Sequence, residues 1–348
     1  MSLQVMWLNQ HSLACKEHKR GTLKESYFTP YIIPTVPHTP WEYKNIPIPP
    51  GIQDKVIELL KHKMNTGVYE PSQSANRSRW LCILKKNGKL RIVYDLQPLN
   101  KITIWDAGLP LILDDSVEPF AGRQCYTVFD LFWGFNARRV HPESRDLTAF
   151  LTPLGLLRLP SLPMGFTNSL AEFQKCMTFI LHDKIPDVGN ILIDDLPIKG
   201  PATQSLDKLG WPEVLTNKKG IRTFIWEHAQ DVHQMMHWVG CAGGTFASNK
   251  THICRLEVVI VRQKCMPEGR LPEDKKVDKI FNWPPLTTPK EARGFLGLCG
   301  TIRIWIKLFR AHKTIGRIME AEYGIYMGWA KTISVSDSQR ISSVHTCT

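Results

Sequence analysis

The sequence predicts a mixed α/β (α+β) fold, and three stretches carry that expectation. Between Gly51 and Asn65, Ile52, Val56, Leu59, Leu60 and Met64 recur at helical spacing, which gives one amphipathic helix, with Gly67 placed to stop it. Two apolar runs between Trp80 and Tyr94 flank Asn87-Gly88, the strongest short hairpin signal a sequence offers. From Gly189 to Gly200, two short Ile-containing runs flank Asp194-Asp195, as a strand, a tight turn carrying the acids and a second strand would.

The chain has 348 residues, enough for two or three packed subdomains, and its 43% hydrophobic and 22% charged content is that of a globular protein. No apolar run reaches the roughly 18 to 20 residues that span a bilayer. Met1 to Arg20 has no apolar core of signal-peptide type. Nine cysteines, odd in number and without a C-x-x-C pair, point to reduced thiols. The expectation is a soluble, intracellular protein of cytoplasm or nucleus with no membrane partner.

The net charge of +12 is unevenly placed. Arg77 to Lys101 holds seven basic residues against one acid, and Lys250 to Arg310 holds thirteen against six. Two basic segments around a nearly neutral, acid-tipped centre suit a polyanion gripped on two sides of a metal site, although two solvated faces would read the same way. Adjacent carboxylates repel unless a proton is shared or a cation intervenes, and oxygen ligands suit Mg²⁺. Taken alone, the pair also suits an ordinary surface turn.

In order along the chain, residues 1–25 offer no usable periodicity. Prolines at 30, 34, 37, 40, 47, 49 and 50 predict an extended strap. After the helix and the basic hairpin, Ser169 and Glu172 form a capping-box pattern, opening a helix with Leu170, Phe173, Met177, Ile180 and Leu181 on one apolar stripe. Pro197 cannot donate to a sheet ladder, so its strand should lie at an edge or be irregular. Turn formers fill Pro201 to Ile225, and a helix follows from Trp226 to Trp238. Its His228, His233 and His237, with Cys241, lack a paired Cys knuckle, so a His-bearing amphipathic helix is preferred to a zinc site.

The basic hairpin and the following Asp95-Leu-Gln-Pro-Leu-Asn100-Lys101 together resemble the fingers of gypsy-type retrotransposon and retroviral reverse transcriptases. Cys125-Tyr-Thr-Val-Phe-Asp130-Leu-Phe-Trp-Gly134-Phe135 resembles that family's first palm motif, and Thr148 to Gly155 its T-A-F-x-T-P-x-G segment. Leu162-Pro-Met-Gly165-Phe-Thr-Asn168 resembles the L-P-x-G-x-x-N box. Ile191 to Asp195, 64 residues after Asp130 when counted to Asp194, takes the place of the aromatic-x-D-D hairpin, with Leu192 where most members carry Tyr or Phe. Cys241 to Lys250 is similar to the fourth palm motif. Leu256 to Gly269 stands for the primer grip, without the usual Leu-Gly-His. Gly269 to Pro272, Ile280 to Pro284 and Arg293 to Gly297, with Arg303 and Phe309, resemble the thumb and the start of the connection. The likeness stops near residue 325.

The resemblance implies a right-hand polymerase with fingers at 51–115, an α/β palm with an antiparallel sheet at 116–255, and primer grip, helical thumb and connection start at 256–325. The strap at 26–50 belongs to it, while 1–25 and 326–348 stay unassigned. It implies RNA-directed DNA synthesis on an RNA or DNA template with a primer, using dNTPs and two Mg²⁺ ions, with Mn²⁺ as a substitute. Asp130, Asp194 and Asp195 would be catalytic and metal-binding. Lys85, Lys86, Arg91, Phe135, Met164 and Lys250 would contact the nucleotide, and Lys275, Lys276 and Lys279 the nucleic acid. Nothing resembles the family's ribonuclease H or integrase, which would be supplied elsewhere or lost. Two other readings stay open: a catalytically inactive relic that only binds nucleic acid, and a metal-dependent phosphatase using Asp130 and Asp194.

Overall fold

The computed structural model describes residues 2–305, apart from 86–87, 109–112, 133, 218–219 and 286–287. Lys86, Trp133, Phe309 and the tail 326–348 therefore lie outside the described residues.

The first 25 residues are not featureless. Helix α1 (Ser2–Leu8) and strand β1 (Leu13–Ala14) form there. Their order comes from distant partners: Asn9 Nδ2 meets His233 Nδ1 at 2.7 Å, and the Leu23 N–H donates to the Ala137 carbonyl at 2.8 Å. The proline-rich stretch that follows runs largely without regular structure, touching the body through isolated bridges such as Tyr31 to Val140.

Helix α2 (Gln53–Asn65) buries Val56 and Leu60 completely, and Gly67 ends it at φ +65°, as the spacing predicts. Strand β2 (Glu70–Pro71) follows, then the antiparallel hairpin of β3 (Trp80–Leu84) and β4 (Leu90–Tyr94). The Lys85 N–H donates to the Lys89 carbonyl at 2.9 Å and Gly88 lies at φ +76°, so glycine takes the left-handed place in a short hairpin loop. Helices α3 (Gln97–Ile102) and α4 (Leu113–Val117) lead to strand β5 (Tyr126–Asp130), whose first four side chains are buried.

A one-turn helix α5 (Pro142–Arg145) precedes the hairpin of β6 (Phe150–Thr152) and β7 (Gly155–Arg158). Strand β7 also pairs with β2, and their apolar faces enclose Val56, Leu60, Tyr69, Trp80 and Phe150 in one cluster beneath α2. Helix α6 (Ser169–Ile180) buries Phe173, Met177 and Ile180 as expected. Its predicted capping box does not form. Asn168 takes the N-cap position, Ser169 Oγ donates to the Pro163 carbonyl at 2.8 Å, and Glu172 is drawn to the Arg138 guanidinium, 2.8 Å away at both Nε and Nη2. A largely buried charge claims its counter-ion ahead of a backbone N–H.

Among the described strands β8 (Asp195–Lys199) pairs with β5 alone, so Pro197 sits at a sheet edge, as its missing N–H requires. The strand expected before the acids is reduced to isolated bridges, Gly189 to Ile198 and Leu192 to Asp195. Stretch 188–192 still covers the outer edge of β8: Asn190 donates to the Pro197 carbonyl at 3.1 Å and Lys199 to that of Val188 at 2.9 Å. Helix α7 (Thr223–Cys241) starts three residues before the predicted one and buries Phe224, His228, Val232, Met236 and Val239.

Strand β9 (Phe246–Ala247) pairs in parallel with β1, and β10 (His252–Arg255) completes the central sheet in the order β10-β5-β8. Strands β11 (Val258–Ile260), β12 (Gln263–Met266) and β13 (Gly269–Pro272) form an antiparallel meander. Helix α8 (Asp274–Phe281) and helix α9 (Pro289–Gly300) pack together through Ile280, Ala292, Phe295 and Cys299. The capping box absent at Ser169 occurs here instead, between Thr288 and Glu291. Among the described residues no helix is long and apolar enough to cross a membrane. Among the described residues the eight cysteines form no disulfide.

Candidate active site

Asp130 ends β5 and Asp195 begins β8, and the register sets the two directly opposite each other. Asp194 occupies the turn just before. That turn is closed by reciprocal backbone bonds between Leu192 and Asp195, at 2.9 and 3.1 Å, and the Asp194 carbonyl accepts from the Leu131 N–H at 2.7 Å. Backbone hydrogen bonds thus fix the acids to the end of β5. Ile193, also in the turn, is held at φ +66°, a region that a β-branched side chain rarely enters. Strain of this kind persists only where surrounding structure enforces it.

The three carboxylates feel one another. Burial, reinforced by Asp194 and Asp130, pushes the Asp195 carboxyl up to about 6, with Lys250 opposing. Lys250 Nζ lies 2.6 Å from Asp130 Oδ2, and that hydrogen bond raises the ammonium's pKa above the ordinary lysine range against the effect of burial. Among the described residues no three His, Cys, Asp or Glu side chains converge into a closed metal cage. Mg²⁺ does not need one. It commonly takes one or two carboxylates and completes its shell with water and substrate phosphates. Hard oxygen donors on two adjacent strands, a carboxyl destabilised in its charged form, and a cation already drawn to Asp130 all fit such an ion.

A cavity of about 530 Å³ opens beside the acids. Asp130, Asp194, Phe135 and Lys250 line one side, Lys85 and Arg91 of the basic hairpin another, and Met164 a third. Arg91 Nη2 approaches Met164 Sδ at 2.7 Å. Asp195 is not in the lining, Lys86 is outside the described residues, and Lys275, Lys276 and Lys279 lie apart on α8.

Two asparagines explain how Met164 is presented. Asn100 Nδ2 donates to the Gly165 carbonyl at 3.0 Å while its Oδ1 accepts from the Thr167 N–H at 2.9 Å. Asn168 Nδ2 donates to the Ile104 carbonyl at 3.0 Å, and its Oδ1 accepts from the Asp106 N–H at 3.1 Å. Two sequence boxes over 60 residues apart are thereby tied into one loop, with Met164 56% exposed. Phe135 is half-buried, edge-on to Phe173 with ring centroids 5.4 Å apart. A Cβ on Gly134 would stand 3.1 Å from Phe173 Cζ, which explains glycine there.

Sequence reasoning missed Lys63, Tyr69, Tyr94 and Asn249, which also line the cavity. Tyr94 ends the basic hairpin and Asn249 stands next to Lys250 in the fourth palm motif, whereas Lys63 and Tyr69 lie outside the motifs. The histidines of α7 do not share one partner: His228 is buried with Nε2 2.8 Å from the Thr127 hydroxyl, His233 meets Asn9, and His237, its ring 6.1 Å from that of His233, has Nε2 3.4 Å from Cys241 Sγ.

No family model matches the chain. It is 29% identical over 265 residues to the retrovirus-related Pol polyprotein from transposon 412 of Drosophila melanogaster, covering 74% of this chain and 19% of the relative. To the corresponding polyprotein from transposon 297 it is 26% identical over 281 residues, covering 79% and 24%. To the transposon Tf2-3 polyprotein of Schizosaccharomyces pombe it is 24% identical over 264 residues, covering 76% and 18%. The chain thus spans roughly a fifth of the length of these relatives. Among solved structures, the foamy viral protease-reverse transcriptase dRH in complex with ds DNA superposes with a TM-score of 0.79 at 20% identity, over 95% of this chain and 55% of that one. The same viral protein in complex with an RNA/DNA hybrid gives 0.74 at 18% identity, over 99% and 43%. The chain is thus similar in sequence to one part of retrotransposon Pol polyproteins, and it has the mixed helix and sheet fold of the reverse transcriptase structures it superposes on.

Proposed function

We propose that the chain is the fingers, palm and thumb of an RNA-directed DNA polymerase that adds dNTPs to a primer 3′-hydroxyl on an RNA or DNA template. The observation that carries this is the cavity with Asp130 and Asp194 on one wall and Lys85 and Arg91 on another, framed by the Asp130–Asp195 register. Fingers at 51–115, palm at 116–255 and primer grip with thumb from 256 are the corresponding division.

Asp130 and Asp194 would hold two Mg²⁺ ions, or Mn²⁺ in their place, with Asp195 beside them. When bound, such ions lower the pKa of the attacking hydroxyl and neutralise charge on the leaving group. Lys85 and Arg91 pair with the triphosphate, since two cations on the hairpin wall of the cavity match its charge. Phe135 supports the sugar, Met164 flanks the base, and Lys250 keeps the proton that the departing pyrophosphate takes. Lys275, Lys276 and Lys279 neutralise backbone phosphates of the duplex. That the foamy viral relatives were solved with ds DNA and RNA/DNA hybrid supports nucleic acid as the partner.

The test is primer extension on poly(rA)/oligo(dT) with Mg²⁺. Incorporation by the unaltered chain, its loss in Asp130→Asn and Asp194→Asn, and unchanged template binding in both support the reading. Polymerisation that survives either substitution overturns the site. A second reading, a relic that binds nucleic acid without synthesis, is favoured by Leu192, which is buried in an apolar cluster with Phe120 and Val128 where most of the family has an aromatic ring. It expects binding without incorporation.

A further inference from the structure

Residues 9–24 do not line the cavity, yet they join two elements that do. On one side β1 adds in parallel to β9, Leu13 opposite Phe246 and Ala14 opposite Ala247, and β9 leads within three residues to Lys250. The crossing that follows is as close as backbones come. The Gly21 N–H donates to Thr245 Oγ1 at 2.8 Å. A Cβ on Gly21 would stand 2.3 Å from the Gly243 carbonyl oxygen, and one on Gly243 would stand 2.2 Å from that of Thr22.

On the other side the same segment grips α2. Arg20 Nη1 and Nη2 donate to the Thr66 and Gly67 carbonyls at 2.7 and 2.8 Å, where a helix end leaves acceptors unpaired. Lys63 Nζ donates to Glu17 Oε1 at 2.5 Å, with the two side chains only 14% and 17% exposed. Lys63 in turn lines the cavity.

We propose that residues 9–24 are a strap that sets the spacing of the two cavity walls, with Glu17 a positioning residue that acts on the incoming nucleotide through Lys63. This rests on the reading of the cavity as a nucleotide site. Glu17 also faces His62 Nε2 at 3.4 Å, so replacing its carboxylate weakens two holds on the last turns of α2 at once, and the Lys63 side chain would shift along the cavity wall as α2 loosens. Displacements of that kind weaken alignment of a bound substrate before they unfold a domain.

The experiment compares Glu17→Gln with the conservative Glu17→Asp in the full chain, by steady-state primer extension and by hydrogen exchange of residues 244–250. Glu17→Gln is expected to raise KM for the dNTP about fivefold or more with kcat within about twofold, Glu17→Asp to restore it, and the 244–250 amides to exchange about tenfold faster although Glu17 touches α2. Unchanged KM together with unchanged exchange at 244–250 overturns the strap, whatever happens to the melting temperature. If Glu17→Gln does not fold, Arg20→Ala is read by the same two measures. Absence of incorporation by the unaltered chain would remove the polymerase reading, and the exchange data alone would then decide the strap.

Discussion

Lys250 Nζ stands 2.6 Å from Asp130 Oδ2, an ion pair that ties the turn after β9 to the last residue of β5. On the proposed reading, a lysine so placed would reach both the Asp130 carboxylate and a phosphate beside it. Lys250→Met is expected to slow incorporation about 100-fold, the usual worth of a positioned proton donor, while primer-template affinity stays within about twofold. Rapid-quench kinetics with a parallel binding titration check this. A full-speed variant would reduce Lys250 to a charge partner.

Phe135 faces the cavity while its ring packs edge-on to Phe173. Phe135→Val is expected to leave dNTP incorporation within about an order of magnitude and to raise ribonucleotide incorporation tenfold or more, since about 1.4 kcal/mol of lost discrimination gives that factor. Competition between dNTP and rNTP on one template measures it. Equal losses with both sugars would make Phe135 a packing residue only.

His228 is 1% exposed, and burial pushes its imidazole down to about 4. The unfolded chain takes up a proton near pH 6.5 and the folded chain only near 4, so the stability held above pH 6.5 drains away as pH falls between those values. The loss should approach about 3 kcal/mol by pH 4. Urea unfolding between pH 4 and 7 is expected to show that slope, and His228→Gln to flatten it.

Ile193 is 40% exposed and sits at φ +66°. Asparagine tolerates that backbone far better and little packing is lost, so Ile193→Asn is expected to stabilise the fold by about 1 kcal/mol. The melting temperature reports it. No rise would mean that the Ile193 side chain contributes packing that offsets the strain.

Much of this arrangement was legible because it is local. Helix α2 follows from one apolar stripe, the basic hairpin from Gly88, and the edge position of β8 from Pro197. The turn carrying Asp194 and Asp195 follows from the short runs around it, whereas the strand expected before it is reduced to isolated bridges and the Asp130–Asp195 pairing joins residues far apart in the chain. What stayed hidden depends on partners far along the chain. Glu172 has the right place for a capping box but belongs to Arg138, 34 residues earlier. Residues 2–24 show no period because their order comes from Lys63, Thr245 and His233. Lys63 and Tyr69 reach the cavity only because α2 folds over it. The Thr288–Glu291 box was local, and its T-x-x-E spacing could have been read.

The covered outer edge of β8 has a consequence for the chain in concentrated solution. Strands at sheet margins are where molecules add to one another and where cross-β growth begins. Here Pro197 offers no N–H, its carbonyl is taken by Asn190, and the Lys199 N–H is taken by Val188. The turn that fixes the acids therefore also shields this margin from fibril-type recruitment, and loosening stretch 188–192 would cost colloidal stability together with catalytic geometry.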